Sequence, residues 1–137
     1  MYKFSKNSLK KLEDLHPQLQ KFFHELIKIS SYDFSITQGV RTAEEQNKLY
    51  QQGRTAPGAI VTNCDGYKLK SNHQVKPDGF GYAGDIAVLM NNKVTWEERY
   101  YKEIAMTARI LMQKYNVEWG GDWKNFKDLP HFEYKGE

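Results

Sequence analysis

The sequence predicts an α+β domain, and three observations carry that prediction. Leucines and phenylalanines recur at helical spacing through residues 9–27, Asp33–Val40 and Gly81–Met90 read as strands, and helical spacing returns from Tyr101 to Tyr115. Helices early, strands in the middle and a late helix able to lie over a sheet match the class in which helices gather against a small antiparallel sheet.

Each element has a local cause. Ser8 stands where an N-cap would open a first helix carrying Leu9, Leu12 and Leu15. Pro17 interrupts that helix and starts a second at its first position, with Leu19, Phe22, Phe23, Leu26 and Ile27 as the apolar stripe and lysines outside. Asp33–Val40 alternates apolar and polar through its first half, as a half-buried strand does. Thr42 and Glu45 fit a capping box that opens a helix through about Gln52, ended by Gly53. Arg41 therefore falls at the hinge between a strand end and a helix start, where side chains often point into a cleft.

Residues 53–80 are the least regular part, punctuated by Gly53, Pro57, Gly58, Gly66, Pro77 and Gly79, with Ala59–Thr62 expected as a hairpin-like piece. So long an irregular stretch within a compact domain is usually functional. In the strand that follows, Asp85 shares a face with Ala83 and Ala87. Thr95 and Glu98 fit a second capping box, and Tyr101, Ile104, Ala105, Ala108, Leu111, Met112 and Tyr115 form the core face of its helix. A break at Gly120-Gly121, an aromatic loop with Trp123 and Phe126, and a closing strand His131–Tyr134 complete the chain.

Composition narrows the function. At 137 residues the expectation is one domain, 1–137, without a separate wall-binding module. Hydrophobic content of 39% argues for a packed globule and against disorder, and the 14% of aromatic residues belong first to core and cleft walls. The net charge of +3 is spread among interspersed acids and bases, which favours a solvated surface over a nucleic-acid footprint and is compatible with weak attraction to an anionic polymer such as a cell wall. The single cysteine, Cys64, forms no intramolecular disulfide and lacks neighbours that would activate it. No apolar run reaches membrane-spanning length.

The chemistry lies in two short stretches, Ser71-Asn72-His73 with Gly81–Asp85, and Asp128-Leu129-Pro130-His131. Together they offer two imidazoles, one carboxylate ligand and one spare carboxylate, the inventory of a hydrolytic zinc site with an open position and a base. Asp85 lies among small and apolar residues, and a buried carboxylate needs a partner or a metal. If Phe132 and Tyr134 face the core, His131 and Glu133 face the other way. Asp128 is joined to His131 through Pro130 by a chain spanning at most about 10 Å, so it can stand near a metal without binding it, as a general base does. His16 and His24, on amphipathic helices, read as surface or capping residues.

Ser71-x-His73…Gly81-Tyr82-Ala83-Gly84-Asp85 resembles the S-x-H-x-x-G-x-A-x-D signature of the zinc D-alanyl-D-alanine carboxypeptidase family. That family includes the L-alanyl-D-glutamate endopeptidases of phage endolysins and bacterial cell-wall hydrolases. Gln38–Thr42 resembles its Q-G-x-R-T segment, and Gly120–Trp123 with Asp128–Phe132 resembles the G-G-D-W…D-x-P-H-F block of the endopeptidase branch. The resemblance implies a hedgehog/DD-peptidase-like α+β fold, a small antiparallel sheet flanked by helices. It also implies zinc on His73, Asp85 and His131, Asp128 as base, and Arg41 on the substrate carbonyl or carboxylate.

The activity so implied is an endolysin-like, bacteriolytic peptidase cutting the L-Ala–D-Glu bond of the peptidoglycan stem peptide. The expected partner is that peptide, with no nucleic acid, no membrane insertion and a monomeric chain. The N-terminal segment Met1–Lys6 lacks the apolar core of a secretory signal, so the expected location is the host bacterial cytoplasm before release to the wall. The rivals are a D-Ala-D-Ala carboxypeptidase, whose branch carries Glu-x-x-His where this chain has Asp128-x-x-His131, and a non-catalytic hedgehog-like metal-binding module. Two departures from the family pattern stand out. His73 and Asp85 are twelve apart where the signature has seven, an insertion of about five within Gln74–Phe80, which Gly79 and Gly81 would accommodate as a hairpin excursion. Gly84 replaces a larger residue and is expected to loosen local packing.

Overall fold

A computed structural model describes residues 1–136. Its helices are α1 (Lys6–Leu12), α2 (Pro17–Ile29), α3 (Ala43–Gln51) and α4 (Glu98–Tyr115), and its strands β1 (Asp33–Gln38), β2 (Ala83–Met90), β3 (Lys93–Thr95), β4 (Val117–Trp119) and β5 (His131–Tyr134). The sheet is antiparallel in the order β1-β2-β5-β4, with β3 added to β2. This is the predicted α+β arrangement of a small antiparallel sheet flanked by helices. Among the described residues no helix is long and apolar enough to cross a membrane.

The core forms where the apolar stripes meet one face of the sheet. Leu19, Phe22, Phe23, Leu26 and Ile27 of α2 and Tyr101, Ile104, Ala105 and Ala108 of α4 are buried with Phe34, Ile36, Ile86, Val88 and Phe132. Full burial of each such large side chain contributes about 1.5–3 kcal/mol. Phe132 lies 5.4 Å from Phe22 and 6.0 Å from Phe23, ring centre to ring centre, which fastens β5 to α2 from the core side.

Several local expectations are met. Pro17 is the first residue of α2, and His16 caps it through Nδ1, which accepts the Gln18 N–H at 3.1 Å. The Thr42/Glu45 capping box has both of its hydrogen bonds. Residues 76–80 make the hairpin excursion, closed by Lys76 N–H to the Phe80 carbonyl at 2.9 Å, with Gly79 at φ +90°. That turn absorbs the extra residues without moving Asp85 off β2.

Other expectations are corrected. The N-cap of α1 is Ser5; Ser8 is buried inside the helix, where its hydroxyl accepts the Ile36 N–H at 3.0 Å and joins α1 to β1. Leu15 lies beyond α1, buried, in a bridge to Gly81. Thr95 is not a helix cap, because it pairs with Val88 in the sheet; α4 starts at Glu98. Ala59–Thr62 forms no strand. Gly84 does not loosen the packing: a Cβ there would stand 3.0 Å from the Phe23 ring and 3.3 Å from Leu15, so those side chains already occupy the space.

Candidate metal centre

Two neighbouring strands and one loop build the site. On β2, Ile86 and Val88 enter the core, so Asp85 projects from the opposite face; on β5, Phe132 and Tyr134 take the core, leaving His131 and Glu133 beside Asp85. The register sets Asp85 directly across from His131, and Ala83 across from Glu133. His73 arrives from the irregular stretch, held by its neighbours' backbone: its carbonyl accepts the Arg41 N–H at 2.8 Å, and the Asn72 carbonyl accepts the Tyr82 N–H at 2.8 Å.

Three ligand-type atoms converge. His73 Nε2 and His131 Nδ1 are 3.2 Å apart, and Asp85 Oδ1 lies 3.1 Å from the His131 nitrogen and 3.3 Å from the His73 nitrogen. Ligands placed at 2.0–2.1 Å around a tetrahedral zinc are separated by roughly 3.3 Å, so this triangle has the dimensions of one face of such a site. The group is able to hold a metal ion. The outer nitrogens support the same reading. His73 Nδ1 meets the Gly39 carbonyl at 2.8 Å and His131 Nε2 meets Glu133 Oε1 at 2.7 Å, so a proton on each outer nitrogen leaves the inner lone pair free for a cation.

Electrostatics follow from these contacts. Burial opposes ionisation of Asp85, but its hydrogen bonds with His131 and His73 prevail and hold the carboxyl well below the usual range. Burial likewise opposes an imidazolium at His131, yet the hydrogen bonds to Asp85 and Glu133 raise it to about 9 in the metal-free site. Arg41 Nη2 approaches Asp85 Oδ2 at 3.4 Å while Nη1 donates to Gln46 Oε1 at 3.1 Å. Desolvation lowers the Arg41 pKa, against the pull of Asp85 and Asp128.

Asp128 stands at the edge of this cluster, Oδ2 3.8 Å from His131 Nδ1, with its side chain 43% exposed. Partial desolvation, then the charge of Asp85, raises its pKa above the ordinary carboxylate value. Gly120-Gly121 explains the placement. The Gly120 carbonyl accepts the Asp128 N–H at 3.1 Å, and a Cβ on Gly120 would lie 2.3 Å from the Asp128 carbonyl oxygen. Only glycine lets the two segments approach so closely.

The cluster opens into a groove of about 790 Å³ lined by Ile60, Val61, Trp123 and Phe126, with Arg41, Lys70 and Lys127 as its cations. The Trp123 ring lies 4.8 Å from that of His131. All five residues singled out in the sequence, Arg41, His73, Asp85, Asp128 and His131, thus meet in one place. Sequence reasoning missed the support: Gln46, fully buried on α3, and Asn72, whose amide donates to Glu133 Oε2 at 2.6 Å. Neither carries a sequence signal, because Gln46 sits among polar neighbours on α3 and no pattern marks Asn72.

A hydrolase-type centre results, with side chains for one cation, a carboxylate and a guanidinium beside it, and an open groove. The chain belongs to the phage L-alanyl-D-glutamate peptidase family, whose model matches residues 1–135. It is 34% identical over 145 residues to the peptidoglycan L-alanyl-D-glutamate endopeptidase CwlK of Bacillus subtilis (strain 168), covering 94% of this chain and 80% of that protein. It is 33% identical over 139 residues to the L-alanyl-D-glutamate peptidase of Escherichia phage T5, covering 98% and 90%. The crystal structure of the Serratia marcescens L-Ala D-Glu endopeptidase ChiX matches with a TM-score of 0.75 at 29% identity, over 96% of this chain and 89% of that one.

Proposed function

We propose that this protein is a zinc-dependent endopeptidase that hydrolyses the L-Ala–D-Glu bond of the peptidoglycan stem peptide. The observation that carries the reading is the convergence of His73 Nε2, Asp85 Oδ1 and His131 Nδ1 to within 3.1–3.3 Å of one another at the base of an open groove. These three would hold the ion. Bound there, zinc supplies Lewis acidity that polarises a carbonyl and acidifies water.

The chain's own residues do the rest. Asp128, lining the groove with its Oδ2 3.8 Å from His131 Nδ1, accepts the proton of the attacking water and delivers it to the departing D-Glu amine. Arg41 has five N–H donors, of which Asp85 and Gln46 take two, so donors remain for the oxyanion or a substrate carboxylate. Lys70 and Lys127 add positive charge along a groove meant for an acidic peptide. The Asp128-for-glutamate choice and the curated relatives' names favour the endopeptidase over the carboxypeptidase.

Mass spectrometry of purified peptidoglycan after digestion tests this. The expected product carries a new N-terminal D-glutamate or isoglutamine, with L-Ala left on the muramyl side, and a chelator abolishes it. His73→Ala and His131→Ala should lose zinc and activity together. Release of free D-alanine without a new D-glutamate amine, or full zinc in both variants, overturns the reading.

A further inference from the structure

Glu133 stands on the same face of β5 as His131, its side chain 14% exposed, and both its oxygens are engaged. Oε1 accepts from His131 Nε2 at 2.7 Å, and Oε2 accepts from the Asn72 amide at 2.6 Å. Strand parity explains the reach, since residues two apart share a face. Asn72 is the residue before His73, so the Asn72–Glu133 contact joins the loop bearing one inner nitrogen to the strand bearing the other, across 61 positions of sequence. Because both oxygens are occupied, Glu133 is no free base.

We propose that Glu133, oriented by Asn72, is a positioning residue: it fixes which nitrogen His131 turns toward the metal and clamps the His73 loop against β5. This rests on the metal reading above. An imidazole without an outer partner is free to turn over about its side-chain axis and to present either nitrogen, whereas His73 has the backbone carbonyl of Gly39 for that purpose. The loop does not depend on the clamp for its path, because the backbone bonds from Arg41 to His73 and from Tyr82 to Asn72 remain. Loss of the clamp is therefore expected in metal affinity before it appears in folding.

Zinc affinity measured by chelator competition on the purified full chain tests this, together with the metal-free melting temperature. Glu133→Ala should weaken zinc binding about 10- to 100-fold, and the near-isosteric Glu133→Gln, which keeps an acceptor but loses the charge, about tenfold. Asn72→Ala should weaken it by less, and Asn72→Ala with Glu133→Ala together should be no worse than Glu133→Ala alone, since Asn72 acts through Glu133. Imidazole nitrogen shifts in the zinc-loaded protein should report Nε2–H at His131 in the parent and a mixture in Glu133→Ala. Parent-like zinc affinity in both Glu133 variants, or Asn72 and Glu133 losses that add in full, would overturn the proposal. A parent chain that binds no zinc overturns the metal reading and this inference with it, whereas tight binding by parent and variants alike overturns only the inference.

Discussion

Replacing Asp128 by asparagine separates catalysis from metal binding and from folding. The backbone of Asp128 is fixed independently of its carboxylate, by its N–H on the Gly120 carbonyl at 3.1 Å and by its carbonyl accepting the His131 N–H at 3.1 Å. The side chain is 43% exposed and its nearest charged partner is 3.8 Å away, so the amide fits the same space and folding stability should change by less than about 0.5 kcal/mol. Zinc content should stay stoichiometric, because the converging triangle of His73, Asp85 and His131 is untouched. Turnover should fall about 10²- to 10⁴-fold, equal to about 2.7–5.4 kcal/mol of barrier at 1.36 kcal/mol per decade. The assay is release of new D-glutamate amines from a purified stem peptide, with zinc quantified by elemental analysis on the same sample. A zinc-replete variant turning over within threefold of the parent would refute Asp128 as the base.

Arg41→Lys should cut kcat/KM at least tenfold while leaving zinc bound, because one ammonium cannot contact Asp85 and Gln46 and still offer a planar pair of donors to substrate; parent-like kinetics would remove Arg41 from the reaction. The metal-free protein should lose stability as pH rises. His131 has its pKa raised from 6.5 to about 9, so its contribution is complete below about 6.5 and is lost as pH passes through 9. Zinc affinity should run the opposite way and increase about tenfold per pH unit between 7 and 9, because the metal must displace that one proton. Urea melts of the stripped protein and chelator competition across that range check both slopes, and a zinc affinity independent of pH would refute the account.

The contrast between what the sequence disclosed and what it hid has a physical basis. Asp85 and His131 were legible because strand parity is local: once Phe132 and Tyr134 are assigned to the core, His131 and Glu133 must face away, and an unpaired carboxylate amid Ala83, Gly84 and Ala87 demands a partner. The Thr42 cap was legible for the same reason, since both of its bonds close within three residues. Thr95 has an equally good local pattern and failed, because pairing with Val88 in β2 claimed its backbone before a helix could. Ser8 failed likewise, its hydroxyl serving Ile36, twenty-eight positions away. The site's support has this same non-local character. Asn72 and Glu133, or Arg41 and Gln46, carry no signature in spacing, because what joins each pair is the path of an irregular loop or the docking of α3. Ligand chemistry would limit the proposed ligands His73, Asp85 and His131 to a few residue types. The groups that orient them need only a donor or an acceptor at the right distance, which many residue types can supply. Motif reading therefore reaches the proposed ligands, and geometry is required to find what holds them.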